Sequence, residues 1–341
     1  MWTSARNLGF VLLLAGLQIP GPVAGAEPPA AASAAYGQGQ KHLARRTTED
    51  LRAALADFER ATAADPTFAP AFAGLAEARA LLYDYPGARE AADRALALDE
   101  RLASAHAVLG FVRMHADWAW SGAETELKRA VELDPQRATP HMWNAIFLEA
   151  IGRSDAAVAE ARRAVELEPR NAQVRAGLGY RLYWARRYDE AVAELTAALE
   201  LDPALETAHY FTGRARGQQG RIAEARTAFA HAKALSPKDA NLRSAGAYLE
   251  ALAGRRKEAE RILPELERLA IRSLPFASQV AGIRAALGDK ATALGWLERA
   301  HTNREGALVW LKIDPRFDSL RGEPRFIEIL RQMGLGESGA K

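Results

Sequence analysis

Small and apolar residues recur along this chain at intervals that a helix turns onto one face. From residue 54 to residue 300 a unit Ala-x-x-x-[Phe/Leu/Ala]-x-x-[Ala/Leu] returns, its first alanine at 54, 88, 123, 157, 191, 225, 259 and 293. The interval is 34 residues six times and 35 once. Steps of four and then three residues stack three side chains above one another on a helix, as at Ala191, Leu195 and Ala198. A fixed period of this length marks one supersecondary unit stacked on copies of itself, so the pattern predicts a solenoid.

A second small-residue signal precedes five of the units, at Gly74-Leu75-Ala76, Leu109-Gly110, Asn144-Ala145, Leu178-Gly179 and Thr212-Gly213, and predicts a first helix. The second helix runs into Asp65-Pro66, Asp134-Pro135, Glu168-Pro169, Asp202-Pro203 and Ser236-Pro237, with Asp99-Glu100 at the matching place in the second repeat. Proline lacks an amide hydrogen and restrains the residue before it, so the helix stops there. Each repeat therefore reads as helix, short turn, helix, proline stop.

With these residues in register the chain resembles the tetratricopeptide-repeat family. Ala191-Val-Ala-Glu-Leu195-Thr-Ala-Ala198 followed by Leu201-Asp202-Pro203 carries the likeness most closely, and it covers about 250 residues. Within the family, the run from Arg46 to Arg321 is similar to repeat arrays of bacterial signalling proteins, where they follow a kinase, a cyclase or a winged-helix domain; this sequence shows no such domain. The resemblance implies an all-α, right-handed superhelix of about eight repeats. The expected organisation is a signal peptide over 1–26, a linker and degenerate first helix over 27–46, the solenoid over 47–305, a C-terminal capping segment over 306–334 and a polar tail over 335–341.

The ends depart from the repeat chemistry. Residues 1–26 carry one charge, Arg6, an apolar run from Leu8 to Leu17, and Ala24-Gly25-Ala26 ahead of Glu27. That is the pattern of a secretory signal peptide with cleavage after Ala26, and the run falls short of the roughly 20 residues that span a bilayer. The expectation is a periplasmic or secreted chain with no stable membrane anchor once the signal is removed. The sequence has no cysteine, so no disulfide supports it. Glu27 to about Gln40 reads as an Ala/Pro/Gly-rich linker. Thr47, Thr48, Glu49 and Asp50 then offer capping hydroxyls and first-turn acids before Leu51. Beyond Ala300 the period fails, and Asp314-Pro315 and Glu323-Pro324 introduce helical turns carrying Phe317, Leu320, Phe326, Ile327, Leu330 and Met333, read as a cap over the last repeat.

Charge changes the picture little. Formal net charge is +2, from 45 basic and 43 acidic residues interleaved along the helices, which suits solvated outer faces and argues against nucleic acid as partner. Familiar local signatures of catalysis are missing: Gly-x-Ser-x-Gly, His-Glu-x-x-His, a phosphate-cradling loop, a cysteine nucleophile. No enzyme, cofactor or metal is expected. His106, His141 and His209 share one repeat position, and Glu206-x-x-His209 has ligand-pair spacing, but equivalent positions on stacked repeats lie roughly 8 to 10 Å apart, too far to share a metal. The expectation for these histidines, and for His115 beside Asp117, is packing. Asp117-Trp118-Ala119-Trp120 falls in the turn where the third repeat gains its extra residue, and its rings are expected to cover the seam with the adjacent repeat.

In proteins similar to this one, the first helices of the repeats line an inner wall where partner peptides bind. Mapped by register, that wall carries Phe111, Met114 and His115, then Met142, Ile146 and Glu149, then Tyr180, Tyr183 and Trp184, followed by Tyr210, Arg214 and Tyr248. The resemblance makes Phe111, Met142, Ile146, Tyr180, Tyr183, Trp184, Tyr210, Arg214 and Tyr248 the candidate ligand-binding residues. Leu178, Leu182, Leu195 and Leu199 fill the fifth repeat's packing faces on this reading, which leaves Tyr180, Tyr183 and Trp184 pointing elsewhere. Aromatics on a partly wet surface suit recognition, and Arg214 is placed to receive a carboxylate. Family co-chaperones that hold an acidic tail use Lys, Asn and Arg here, so the wall favours an apolar or aromatic-rich peptide or a glycan instead. The expected function is an exported scaffold holding a protein or peptide partner in a concave aromatic groove; the alternative is a sensory or regulatory lobe that binds a small ligand or glycan.

Overall fold

The proline stops and alanine faces become helix pairs. A computed structural model describes residues 27–336 apart from 46, 238 and 273–275. The signal-peptide expectation over 1–26 and most of the expected tail lie outside the described residues. The first four pairs are α1 (Ala30–Arg45) with α2 (Thr48–Ala64), α3 (Ala69–Leu81) with α4 (Tyr85–Leu98), α5 (Ala103–Val112) with α6 (Trp120–Leu133), and α7 (Ala138–Ala150) with α8 (Ser154–Leu167). The next four are α9 (Ala172–Trp184) with α10 (Tyr188–Leu201), α11 (Glu206–Gln218) with α12 (Ile222–Leu235), α13 (Ala240–Leu252) with α14 (Arg256–Ile271), and α15 (Ala277–Ala286) with α16 (Lys290–Thr302). Each first helix also touches the first helix of the next pair, so these odd-numbered helices form a continuous wall. Two 3-10 turns, Gly306–Trp310 and Pro315–Leu320, and α17 (Pro324–Gln332) follow. Among the described residues there is no strand, and no helix is long and apolar enough to cross a membrane.

The repeated residues do what their spacing requires. Ala191, Leu195 and Ala198 are fully buried, as are Ala123, Leu127 and Ala130 two repeats earlier. The small residue of the first helix makes room for the large one of the second: a Cβ added at Gly179 would lie 2.7 Å from Leu195, and one at Gly110 2.5 Å from Leu127. Residues before the prolines leave helical geometry, Asp65 at φ −143 and Asp202 at φ −142, and their amides donate back to Ala61 and Ala198. Thr47 accepts from the Asp50 amide at 3.1 Å, the cap its sequence announces.

The histidine position is a structural tether. His106 sits between the Glu126 carboxylate at 2.7 Å and the Glu100 carbonyl at 3.0 Å; His141 sits between Glu160 at 2.6 Å and the Pro135 carbonyl at 3.0 Å. One repeat later Arg175 takes the same place, donating to Glu194 and to the Pro169 carbonyl. A guanidinium that substitutes for imidazole in the same bridge marks it as a strap from first helix to second helix and preceding loop.

Three features depart from the sequence reading. Residues 30–45, expected in part to be linker, form a full helix whose Ala32 and Leu43 are buried and whose Tyr36 ring lies 5.9 Å from Phe58 and 5.1 Å from Phe68. Its alanines are the best helix formers, and Gly39 lies where a Cβ would strike the Phe58 ring at 2.7 Å, so the small residues are packing rather than linker chemistry. The extra residue of the third repeat is taken up as a π turn, Arg113–Asp117, ending at Trp118 in the left-handed region with φ 55. Third, the segment from 304 to 335 does more than cap. Phe317, Leu320, Phe326, Ile329 and Met333 are buried in one cluster with residues of α15 and α16, Leu330 packs against it, and Ile327 stays exposed. Yet this end of the chain, α16 included, returns to the third repeat: Arg304 donates to the Ala116 carbonyl at 3.0 Å, Trp118 stacks on His301 of α16 at 5.2 Å, and the Trp120 indole donates to the Met333 carbonyl at 2.5 Å. The two tryptophans thus pack against the core of the neighbouring repeats and also seal a contact with the far end of the chain.

Candidate functional site

The inner wall divides into an open part and an occupied part. The open part is a cleft of about 600 Å³ along α1, α3, α5, α7 and α9, reaching Thr207 on α11. Phe111, Met142, Ile146 and Tyr180, all singled out in the sequence, line it and are half-buried. Tyr36 and Trp143 join them. Trp143 packs edge-on against Phe111 at 4.7 Å, and Tyr180 stacks on Phe211 at 4.3 Å while its hydroxyl donates to Thr207 at 2.7 Å. Gln40, Asn171, Gln173, Arg101 and Arg137 supply polar groups around these rings. The sequence reading missed Tyr36, because α1 read as linker, and Trp143, which lies beside rather than on the expected wall positions.

The occupied part holds the chain's own residues 306–320. Trp310 lies parallel to Trp184, at 6.0 Å and 3° between ring planes, and its edge meets His115 at 5.8 Å. Its indole donates to Glu149 at 3.0 Å, and Glu149 also accepts from Arg181 at 2.5 Å. Burial pushes the Glu149 carboxyl up to about 7 against the pull of Arg181 and the indole. Farther along, Asp318 takes a two-pronged bond from Arg186 at 2.6 and 2.7 Å. Asp314 accepts from Arg316 at 2.6 and 2.8 Å and faces Arg214 at 3.8 Å. Burial favours the neutral Asp314 acid, but Arg316 and Arg214 together hold it below the usual range.

This corrects the expectation that Tyr183 and Trp184 stand free of packing. Tyr183 is fully buried and Trp184 is 6% exposed. Leu178, Leu182 and Leu195 do fill the fifth repeat's faces, yet the rings beside them are covered by a segment more than a hundred residues away in sequence. Arg214 does receive a carboxylate, that of Asp314 in the same chain. It is itself wrapped in rings, 4.6 Å from Tyr183, 4.8 Å from Trp184, 5.5 Å from Phe211 and 5.8 Å from Tyr210. Tyr210 and Tyr248 are half-buried at the edge of the occupied part, where the Tyr248 hydroxyl accepts from Gln218 at 3.1 Å. No group of three His, Asp or Glu side chains among the described residues is arranged to hold a metal ion.

No protein-family model and no curated protein matches this sequence. Solved structures are similar in fold. A monomeric mutant of IFIT1 with Gppp-AAAA aligns at TM-score 0.56 and 15% identity, covering 80% of this chain and 71% of that one. The APC/C hetero-tetramer Cut9-Hcn1 gives 0.50 and 20%, over 63% and 42%. The thermophilic TPR protein TTC0263 of Thermus thermophilus gives 0.47 and 24%, over 54% and 98%. Repeat length, the small residues that seat each helix pair, and the wall built by the first helices give this chain the fold of a tetratricopeptide-repeat-like solenoid.

Proposed function

We propose that the chain is an exported, non-enzymatic scaffold that holds a protein or peptide segment in the open cleft of its inner wall. One observation carries the reading: the other part of the same wall already holds a segment of this chain, two 3-10 turns seated by a stacked indole at Trp184 and carboxylates at Arg186 and Arg214. The open part offers the same kind of surface, with Phe111, Trp143 and Tyr180 as rings and Arg101 and Arg137 as cations, in a volume ample for several side chains. Rigid rings with polar tips give large contact area at little rotamer cost. The same lining carries Glu77, Asp134 and Glu168 beside Arg101, Arg137 and Arg181, so the rings rather than a net charge select the partner, a segment with aromatic side chains.

Site-directed photo-crosslinking tests this. A crosslinker at Ile146, inside the cleft, should trap a defined partner in the cell envelope fraction, and one at Glu200, on the outer face of α10, should not. Phe111→Ala with Tyr180→Ala should abolish the adduct while leaving the helical signal in place. Equal trapping from both positions defeats the groove reading. Mass analysis of the purified chain tests export separately, since it should begin at Glu27.

A further inference from the structure

From the second helix pair to the eighth, the turn between the two helices places one residue in the left-handed region. Glycine holds that place at Gly152, Gly220, Gly254 and Gly288, with φ 86, 73, 72 and 81. Three turns carry a side chain there instead: Tyr83 at φ 65, Trp118 at φ 55 and Arg186 at φ 63. A Cβ is disfavoured in that region, and such strain persists where the side chain is put to use. Two of the three are in use. Arg186 holds Asp318 of the returning segment at 2.6 and 2.7 Å. Trp118 carries His301 stacked at 5.2 Å and the Arg304 guanidinium over its ring at 5.0 Å.

Tyr83 is the third, one repeat before Trp118 on the same edge, and it is 75% exposed. Its ring meets Tyr85 edge-on at 6.3 Å, and a Cβ at Gly306 would lie 3.3 Å from the Tyr85 hydroxyl. The ring therefore continues the rim to which the chain's own end is fastened. Asp84 follows it, and Asp84 and Glu59, both exposed, share one cation, Arg79, at 3.8 and 3.6 Å. An open ring face beside surplus negative charge complements a guanidinium, the group that Trp118 already carries at the equivalent place.

We propose that the Tyr83 turn docks a partner protein through an arginine side chain, stacked on the Tyr83 ring and paired with the Asp84 carboxylate. A planar guanidinium lies flat on a ring while its edge still donates to an acid, which the rounder lysine ammonium does less well. The patch lies outside the open cleft, and its failure would leave the reading of that cleft untouched.

Titration of the peptide acetyl-Gly-Ala-Arg-Ala-Gly-amide with the full chain, followed by NMR at the arginine δ-protons, tests the proposal. A saturable upfield shift is expected, and the peptide with neutral citrulline in place of arginine should bind at least about fourfold more weakly. Tyr83→Phe keeps the ring and should stay within about twofold. Tyr83→Gly suits the turn and removes the ring, so affinity should fall about fourfold while the thermal midpoint does not drop. Asp84→Asn still caps the Gly87 amide, which Asp84 accepts at 3.1 Å, and removes the charge, so affinity should fall about twofold. Equal binding of the citrulline peptide, or an unchanged constant in Tyr83→Gly, overturns the proposal. Self-association of the parent in sedimentation equilibrium, abolished by Tyr83→Gly, would give the ring to a second copy and overturns it as well.

Discussion

Trp310→Ala should release the segment that fills half of the inner wall. The indole is half-buried, lies flat on Trp184, and donates to Glu149. Removing a fully buried tryptophan costs about 3 to 5 kcal/mol, so a half-buried one costs about 2. The bond to the Glu149 carboxyl adds about 1.5 kcal/mol, because that group is buried and keeps only Arg181. The sum, about 3 to 4 kcal/mol, is large against the stability of any domain. Trp310→Phe retains a ring over Trp184 and loses the indole N–H, so it should cost about 1.5 kcal/mol. Hydrogen exchange resolves where the loss falls. The amides of Ile313 and Asp314 both donate to the Trp310 carbonyl at 2.9 Å, and their protection should drop on the order of a hundredfold in Trp310→Ala. Amides in the middle of α8 should change far less. Protection of Ile313 and Asp314 within about threefold of the parent, with a urea midpoint hardly moved, would refute the seating of the segment.

Other expectations rest on single residues. Leu195→Ala removes a fully buried side chain facing Gly179 and should cost about 2 to 5 kcal/mol in urea unfolding; a loss under about half a kcal/mol would show the repeat register to be wrong. Burial pushes His115 down to about 4, while its Nδ1 donates to the Phe111 carbonyl at 3.1 Å. The unfolded chain takes up that proton near pH 6.5, so stability present above that pH is lost as pH falls to about 4, by about 3 kcal/mol. His115→Phe should flatten this part of the stability profile, and an equally steep acid limb would count against a neutral buried imidazole. Tyr83 is 75% exposed with φ 65, so Tyr83→Gly should relieve backbone strain and raise stability by up to about 1 kcal/mol, read as a shift in the thermal midpoint.

The helix pairs were legible because stacking neighbours imposes one period on every packing residue, and Ala123, Ala157 and Ala191 each report the same contact. The Thr47 cap and the proline stops were legible because they act within a few residues. Arg214 as a carboxylate receiver was legible as chemistry, since a cation among rings on an inner wall needs an anion, although the anion comes from Asp314. The sequence did not disclose what covers Tyr183 and Trp184. Their burial depends on Trp310 and Asp314, which lie outside the period and leave no spacing signal at the residues they touch. The helix at 30–45 was hidden for a different reason: Ala, Gly and Gln there have linker composition, and only the Phe58 ring against Gly39 shows why those small residues are needed.

The bond from the Trp120 indole to the Met333 carbonyl joins residues 213 apart, and that from Arg304 to Ala116 joins residues 188 apart. An array tied only through neighbours stretches like a coil spring and frays from its last turn. Here the last turns are clasped to the third coil, so a tug applied anywhere between them is shared around a loop. The coil can lengthen only after the clasp lets go, and force spectroscopy should record that release as a distinct first event before any single repeat gives way.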